Sequence, residues 1–388
     1  MKYTIHHLDD QEHFDEVMKS VQDIDWIGFD TEFIGEKTYI PKLCLLQIIC
    51  NSEIYLVDTL EVKNLDLFLA FIENPKVLKV THAGDNDYRL LYQLFGTVPK
   101  NTFDTQVAAG FVGYNYPAGF RKIVERELRI SLSKSHTVTN WEIRPLPSKA
   151  VEYAVEDVKY LPQLHEQLSA DLEKRNRTSW AREENRKWEE ESFYQMDPYK
   201  EVLNNDLIYQ LDFKHKVFLL RLVTWRRETA ASLNVPKDAV LQSRHISTVV
   251  KSIKNGQQGF RANRTLPENV WKRHQNAWIK LQEEPVRDEE KAFIKSLPAP
   301  GPDNPETEWA MELLYHFVRK QCLEHEISAA LLLPRGDFNK LKSGNGFDET
   351  LLTGWRAEML GPTLVKWLKS GKPIQVAWTE DSCKLEMK

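Results

Sequence analysis

The sequence has few cysteines, no long apolar stretch and no overall excess of positive charge. Its four cysteines, Cys44, Cys50, Cys322 and Cys383, form no C-x-x-C pair. That spacing argues against structural zinc or a disulfide framework, and it suits a reducing compartment. No apolar run approaches the roughly 20 residues needed to cross a bilayer. The segment Met1 to Phe14 is polar and lacks an apolar h-region, so no secretory signal and a cytoplasmic location are expected. A net charge of −5 does not by itself announce a nucleic-acid-binding protein.

What is present is more informative. At 388 residues the chain is too long for one ordinary domain, and 41% hydrophobic with 28% charged residues is a composition that can bury cores. The charge is uneven. Leu211 to Lys280 holds 14 Lys/Arg against 4 Asp/Glu, a local +10 that leaves −15 on the remainder. An acid-rich body joined to a basic module suits a site that gathers metal ions beside a module that holds a polyanion.

Residues 1–170 alternate strand-like and helix-like stretches. Trp26–Phe33, Leu43–Cys50, Ile54–Val57 and Val77–Ala83 are expected as strands, the first three as an antiparallel meander. Leu65–Glu73 and Asn86–Leu94 are expected as helices, and Phe103–Gln106 as a short further strand. This is an α/β layer with a mixed sheet. Ser148 is the expected N-cap of a long helix to about Leu172, bent by Pro162. Residues 171–205, dense in charge and tryptophan, are expected as a helical linker lying over the first domain. Residues 206–290 and 304–384 are each expected as all-α helical bundles, separated by a Pro-rich linker at Leu297–Asp303.

Three acidic stretches carry the chemistry. Phe29-Asp30-Thr31-Glu32-Phe33 lies on a strand, where Asp30 and Glu32 point to one face. Two carboxylates side by side in a buried strand repel each other and lose hydration, and a cation between them removes that cost. Thr81-His82-Ala83-Gly84-Asp85-Asn86-Asp87 spans the end of a strand and the start of a helix. Tyr153 and Asp157 stand at i and i+4 of a helix and share a face. Four carboxylates and a phenol are about the set that two-metal phosphoryl transfer needs, and hard oxygen ligands suit Mg²⁺ or Mn²⁺.

Taken in order, these motifs resemble the DEDD superfamily of 3′→5′ exonucleases, in the subgroup with tyrosine in the third motif, and within it ribonuclease D. Phe103-Asp104-Thr105-Gln106 and Trp141-x-x-Arg144-Pro145-Leu146 are further family stretches. Residues 211–281, with Trp225-Arg226 and Asn234-Val235-Pro236, resemble the helicase-and-RNase-D C-terminal (HRDC) domain. Gly354-Trp355-Arg356 and Gly361 resemble a second, diverged copy. The resemblance implies a ribonuclease H-like fold and hydrolysis of RNA from its 3′ end to nucleoside 5′-monophosphates. It implies Asp30, Glu32, Asp87 and Asp157 as ligands of two divalent cations and Tyr153 as the residue that positions the attacking water. It also implies a monomer acting on transfer RNA precursors and other structured RNAs with 3′ extensions. His82 and Arg144 are candidate substrate contacts, and Lys134 is expected to be surface charge. Asp85 is an extra acid that helix geometry sets on another face from Asp87, and Asp104 is expected to cap a helix. A Werner-type DNA exonuclease would use the same acids. A non-catalytic RNA-binding scaffold is the other alternative, though it would be expected to have lost some of them.

Overall fold

The computed structural model describes residues 3–132, 140–195, 199–203, 207–297, 305–334, 338, 353–361, 374–379 and 382–387. Lys134, and Gly344 and Gly346, where the sequence suggests a break between C-terminal helices, lie outside the described residues.

The N-terminal unit runs β1 (Thr4–Leu8), α1 (Gln11–Ser20), β2 (Trp26–Ile34), β3 (Lys42–Cys50), β4 (Glu53–Val57), α2 (Asp66–Glu73) and β5 (Leu78–Thr81). It continues through α3 (Asp85–Phe95), β6 (Thr102–Asp104), α4 (Thr105–Gly110), α5 (Phe120–Leu128), α6 (Ser148–Lys159), α7 (Leu161–Lys174) and α8 (Thr178–Asn185). The sheet order is β1-β4-β3-β2-β5-β6. β2, β3 and β4 form an antiparallel meander, while β1 on β4, β5 on β2 and β6 on β5 are parallel. The mixed sheet and its meander are as expected. β1 and α1 are additions: β1 is polar and largely exposed, and α1 starts where the Asp10 carboxylate accepts the His13 amide.

The sheet is covered on both faces. Phe29, Leu46, Ile48 and Val57 face one core with α1, α2 and α3. Leu45, Ile49, Leu56 and Val80 pack with Ala154, Val158 and Leu161 under α6 and the start of α7. Gly28 lets α7 approach β2 this closely, since a Cβ there would lie 2.6 Å from Ile49 Cγ2 and 3.2 Å from Leu161. The expected long helix is two helices that meet at Tyr160. Pro162 falls in the first turn of α7, where its missing N–H costs no helical bond. Pro147 rather than Ser148 occupies the N-cap of α6; Ser148 is its first helical residue.

The segment after α7 lies against this unit. Asn185 Oδ1 accepts the Asp104 amide at 3.0 Å, Glu189 accepts that of Thr102 at 2.8 Å, and Trp188 is buried against Tyr88. Then follow α9 (Lys200–Leu203), α10 (Leu207–Gln210), α11 (Phe213–Leu233), α12 (Lys237–Val240), α13 (Ile246–Ser252), α14 (Gly256–Ala262), α15 (Glu268–Glu283) and α16 (Asp288–Ser296). These helices enclose a separate core around Phe218, Leu222, Phe260, Trp271 and Trp278.

One buried ion pair ties that bundle together. Arg221 Nε and Nη2 donate to the two Glu290 oxygens at 2.7 Å each, and the remaining donors meet the carbonyls of Leu281, Glu284 and Pro285. Both side chains are buried. Removing one partner leaves the other charge uncompensated, so Glu290→Ala is expected to cost about 3 kcal/mol. Urea unfolding followed by tryptophan fluorescence reads this directly, and an unchanged midpoint would deny the pair that role.

The last part differs from an independent all-α bundle. α17 (Pro305–Glu324) and α18 (Ala329–Leu332) place Leu314, Val318, Cys322 and Leu331 in the same core as the N-terminal unit. Trp355 joins them, edge-on to Phe111 with its indole N–H on Glu184. β7 (Ile374–Thr379) and β8 (Ser382–Met387) pair antiparallel, so the expectation of helices alone over 304–384 is corrected. Ile374, Val376 and Trp378 recur at every second position, a strand pattern.

Candidate active site

β2, α3 and α6 bring the acidic residues together. Asp30 and Glu32 leave β2 on the face that α6 covers, and α6 presents Asp157 one turn after Tyr153. One oxygen from each of Asp30, Glu32 and Asp157 lies within 4.8 Å of the other two. Asp87, in the first turn of α3, stands outside this triad. Its Oδ1 accepts the Thr31 amide at 3.1 Å and also bonds the Thr31 hydroxyl, which fastens α3 to the middle of β2. Gly84 makes that approach feasible, because a Cβ there would meet the Thr81 Oγ1 at 2.6 Å. The turn is held by Asp104, which takes the amides of Ala83 (3.1 Å) and Gly84 (2.8 Å) and also caps α4.

Burial raises the proton affinity of all four carboxyl groups, and neighbouring charges add to it. Burial first, then the charges of Asp87, Asp157 and Glu32, push Asp30 well above the usual carboxylate range. Burial, with Asp157 and Asp87 nearby, raises Glu32 to about 8. Burial raises Asp157 to about 7, against the opposing hydrogen bond from Tyr153. Burial raises Asp87 to about 6, with the Thr31 bonds pulling it back. A cluster of hard oxygen donors that is costly to ionise without a counter-charge fits a divalent cation, and Asp30, with Glu32 and Asp157, is the group positioned to hold one.

Tyr153 donates its hydroxyl to Asp157, and burial followed by the Asp157 charge keeps the phenol protonated. The two residues line a cavity of about 460 Å³ with Phe120, Arg121 and Lys122 at its rim.

Other expected contacts take different places. Arg144 is committed within the chain. Its Nε and Nη2 grip Asp58, the latter at 2.7 Å, and its other donors meet the carbonyls of Trp141, Ile143 and Cys44 at 2.8 to 2.9 Å. No N–H remains for a phosphate, so the substrate role expected of Arg144 gives way to pinning the 141–146 segment on the sheet. His82 is largely buried, with Nδ1 2.9 Å from the Thr105 hydroxyl and its ring edge-on to Phe120. Burial lowers its pKa and keeps it neutral. Asp85 turns away, to Arg89 (3.1 Å) and the Trp188 indole (3.2 Å).

Gln47 was not anticipated. It is fully buried on β3, directly opposite Asp30, and neither amide atom meets a partner within the chain. Opposed residues in a sheet carry Cβ atoms about 5 Å apart on one face, so Gln47 sits beside Asp30 without a hydrogen bond to it. The sequence signal was there: one polar residue in Leu43-Cys44-Leu45-Leu46-Gln47-Ile48-Ile49-Cys50.

Known proteins resemble this chain over most of its length. The profile of a family described as 3′-5′ exonuclease matches residues 5–173. Ribonuclease D of Nitrobacter hamburgensis is 30% identical over 352 residues, covering 89% of this chain and 90% of that protein. Ribonuclease D of Zymomonas mobilis is 30% identical over 369 residues, covering 91% of each. The crystal structure of Escherichia coli RNase D, an exoribonuclease involved in structured RNA processing, superposes with a TM-score of 0.79 at 25% identity, over 95% of this chain and 99% of that one. The catalytic core of RRP6 from Trypanosoma brucei shares the fold at 20% identity with a TM-score of 0.54, over 74% of this chain and 81% of that one.

Proposed function

This chain belongs to the ribonuclease D family and is a 3′-5′ exoribonuclease, and from that premise we propose which of its residues do the work and on which RNA. The observation that carries the reading is the convergence of Asp30, Glu32 and Asp157 on one point, with Tyr153 bonded to Asp157 beside them.

Asp30, Glu32 and Asp157 would hold one divalent cation. Asp87 would help to hold a second, and Mg²⁺ and Mn²⁺ both suit the oxygen set. Cations bound there would neutralise the charge that builds on the phosphoryl group in the transition state. The protein's own contribution is positional. Tyr153, anchored by its bond to Asp157, keeps an oxygen lone pair free to accept from a water and aim it at the last phosphodiester. The water oxygen bonds to phosphorus, the P–O3′ bond breaks, and a nucleoside 5′-monophosphate leaves RNA with a 3′-hydroxyl. Residues 206–290 act as an HRDC domain. Arg226 of the Trp225-Arg226 pair already organises it, donating to the carbonyls of Lys237 and Leu241 and to the Ser243 hydroxyl. The substrates are transfer RNA precursors and other structured RNAs with short 3′ extensions, trimmed by a monomer in the cytoplasm.

The test uses RNA and DNA oligomers of one sequence with Mg²⁺ or Mn²⁺. RNA is expected to be shortened from the 3′ end and DNA poorly, because only RNA offers the 2′-hydroxyl. Equal trimming of both would favour a general exonuclease. Tyr153→Phe is expected to lower kcat by about 10- to 100-fold with KM little changed, since it removes orientation of the water and not binding. An unchanged kcat would remove Tyr153 from the mechanism.

A further inference from the structure

A second cavity, about 660 Å³, opens where α17 docks on the N-terminal unit. Its walls carry Arg126 from α5 and His316, Arg319 and Lys320 from α17. The acid at its edge, Glu326, is already paired with Arg175 at 3.1 Å. Lys320 pairs with Glu324, one turn along its own exposed face. Arg126 stands over the Tyr114 ring, 4.4 Å from its centroid, which fixes the guanidinium while leaving its N–H edge to the cavity.

Two features connect this cavity with the acidic site. Lys122 and Arg126 are at i and i+4 of α5, so they share one helix face. Lys122 lines the cavity that holds Tyr153 and Asp157, and Arg126 lines the second. Four helical residues advance about 6 Å, on the order of one nucleotide step. On α17, Trp309, His316, Lys320 and Leu323 recur at i, i+7, i+11 and i+14 and share a face. Trp309 is 69% and Leu323 79% exposed on it. Trp309 offers a base-stacking surface, and about three turns further along the same helix Arg319 and Lys320 offer phosphate contacts, the two kinds of group that bind single-stranded nucleic acid.

We propose that the cavity between Arg126 and α17 is a second RNA-contact site, which holds the single strand upstream of the nucleotide being removed. The inference rests on the exoribonuclease reading and deepens it. The strand runs from the carboxylates along α5, past Lys122 and Arg126, onto the face of α17. An enzyme built this way needs a 3′ tail of several nucleotides before the C-terminal helix helps it, so it discriminates by substrate length as well as by chemistry.

The experiment compares the wild-type chain with the triple variant Arg126→Gln, Arg319→Gln, Lys320→Gln on two RNAs, a trinucleotide and an oligomer of about twenty nucleotides. For the long RNA, KM is expected to rise about tenfold or more and the slope of log KM against log salt to flatten by about two to three. Its kcat stays unchanged. The trinucleotide is cleaved as by the wild type, which shows that the variant is folded and its acidic site intact. An unchanged KM and salt slope on the long RNA overturn the proposal. An equal loss on both lengths also overturns it, because the three cations would then act on the chemistry or the fold. A wild type that trims neither RNA would instead overturn the exoribonuclease reading, and the two failures are distinguishable.

Discussion

Asp30→Asn is expected to lower kcat by about 10³-fold or more, some 4 kcal/mol of transition-state stabilisation, while making the metal-free protein harder to unfold. Both effects have one origin. Asp30 is the residue to which every other acid of the group refers: Asp87, Asp157 and Glu32 each act on its ionisation. Asparagine keeps the shape and one oxygen but removes the charge that draws a cation between β2 and α6. The same charge is a burden without a cation, because buried carboxylates repel each other and are poorly hydrated. A residue that served only the fold would show the reverse, with stability lost along with activity. The measurement is a pair: single-turnover trimming of RNA in Mn²⁺, and the melting temperature in chelator. Wild-type trimming by the variant would remove Asp30 from the site. A melting temperature that falls would show that the carboxylate is structural. Asp104→Asn is the contrasting case. It belongs to a cap and a turn, holding the amides of Ala83, Gly84, Gln106 and Val107, so it should lose stability as a capping change does, about 1 kcal/mol.

The acids of the site were legible because their chemistry needs charged oxygens on regular elements, and the strand and helix periods say which of them share a face. Asp30 with Glu32 and Tyr153 with Asp157 follow from periods of two and of about four. What each side chain is bonded to was not legible wherever the partner is remote in sequence. Arg144 looked free because Asp58 is 86 positions away. Asp87 reads as a metal ligand in sequence, but only the structure shows that one of its oxygens is bound to Thr31. The same blindness affects whole elements. The apolar stripe of α17 reads as the core of a separate bundle, yet Leu314, Val318 and Cys322 complete the core of the N-terminal unit. β1 was overlooked because Thr4-Ile5-His6-His7-Leu8 is an edge strand with little apolar signal, and its parallel register on β4 supplies what propensity does not.

The metal-free protein should lose stability as pH rises through the range where most proteins are steady. The sign follows from the carboxyl groups. Glu32 at about 8, Asp157 at about 7 and Asp87 at about 6 all hold protons more tightly when folded than their ordinary carboxylate values allow when unfolded. The folded state therefore binds the extra protons. That stability is fully present below about pH 4 and is lost as pH climbs through 6, 7 and 8. A tenfold difference in proton affinity is worth about 1.4 kcal/mol; with the repulsion shared among the group counted once, the loss by about pH 8 is on the order of 5 kcal/mol. The buried Lys79, lowered to about 8 by burial, titrates only at the top of this window and works in the opposite direction. Mg²⁺ or Mn²⁺ should cancel the loss, since ions that bind the ionised group stabilise the fold by mass action and release protons as they do so. Denaturant melts in chelator and in millimolar Mn²⁺ across this range should give two curves that meet near pH 5 and diverge steadily above it. Isothermal titration in buffers of different ionisation enthalpy should show proton release on binding at neutral pH. Parallel curves, or binding without proton release, would mean that the carboxyl groups do not share one field, and the case for a common cation site would go with them. Asp30→Asn should flatten the chelator curve, because it removes one of the raised carboxyl groups from the titration.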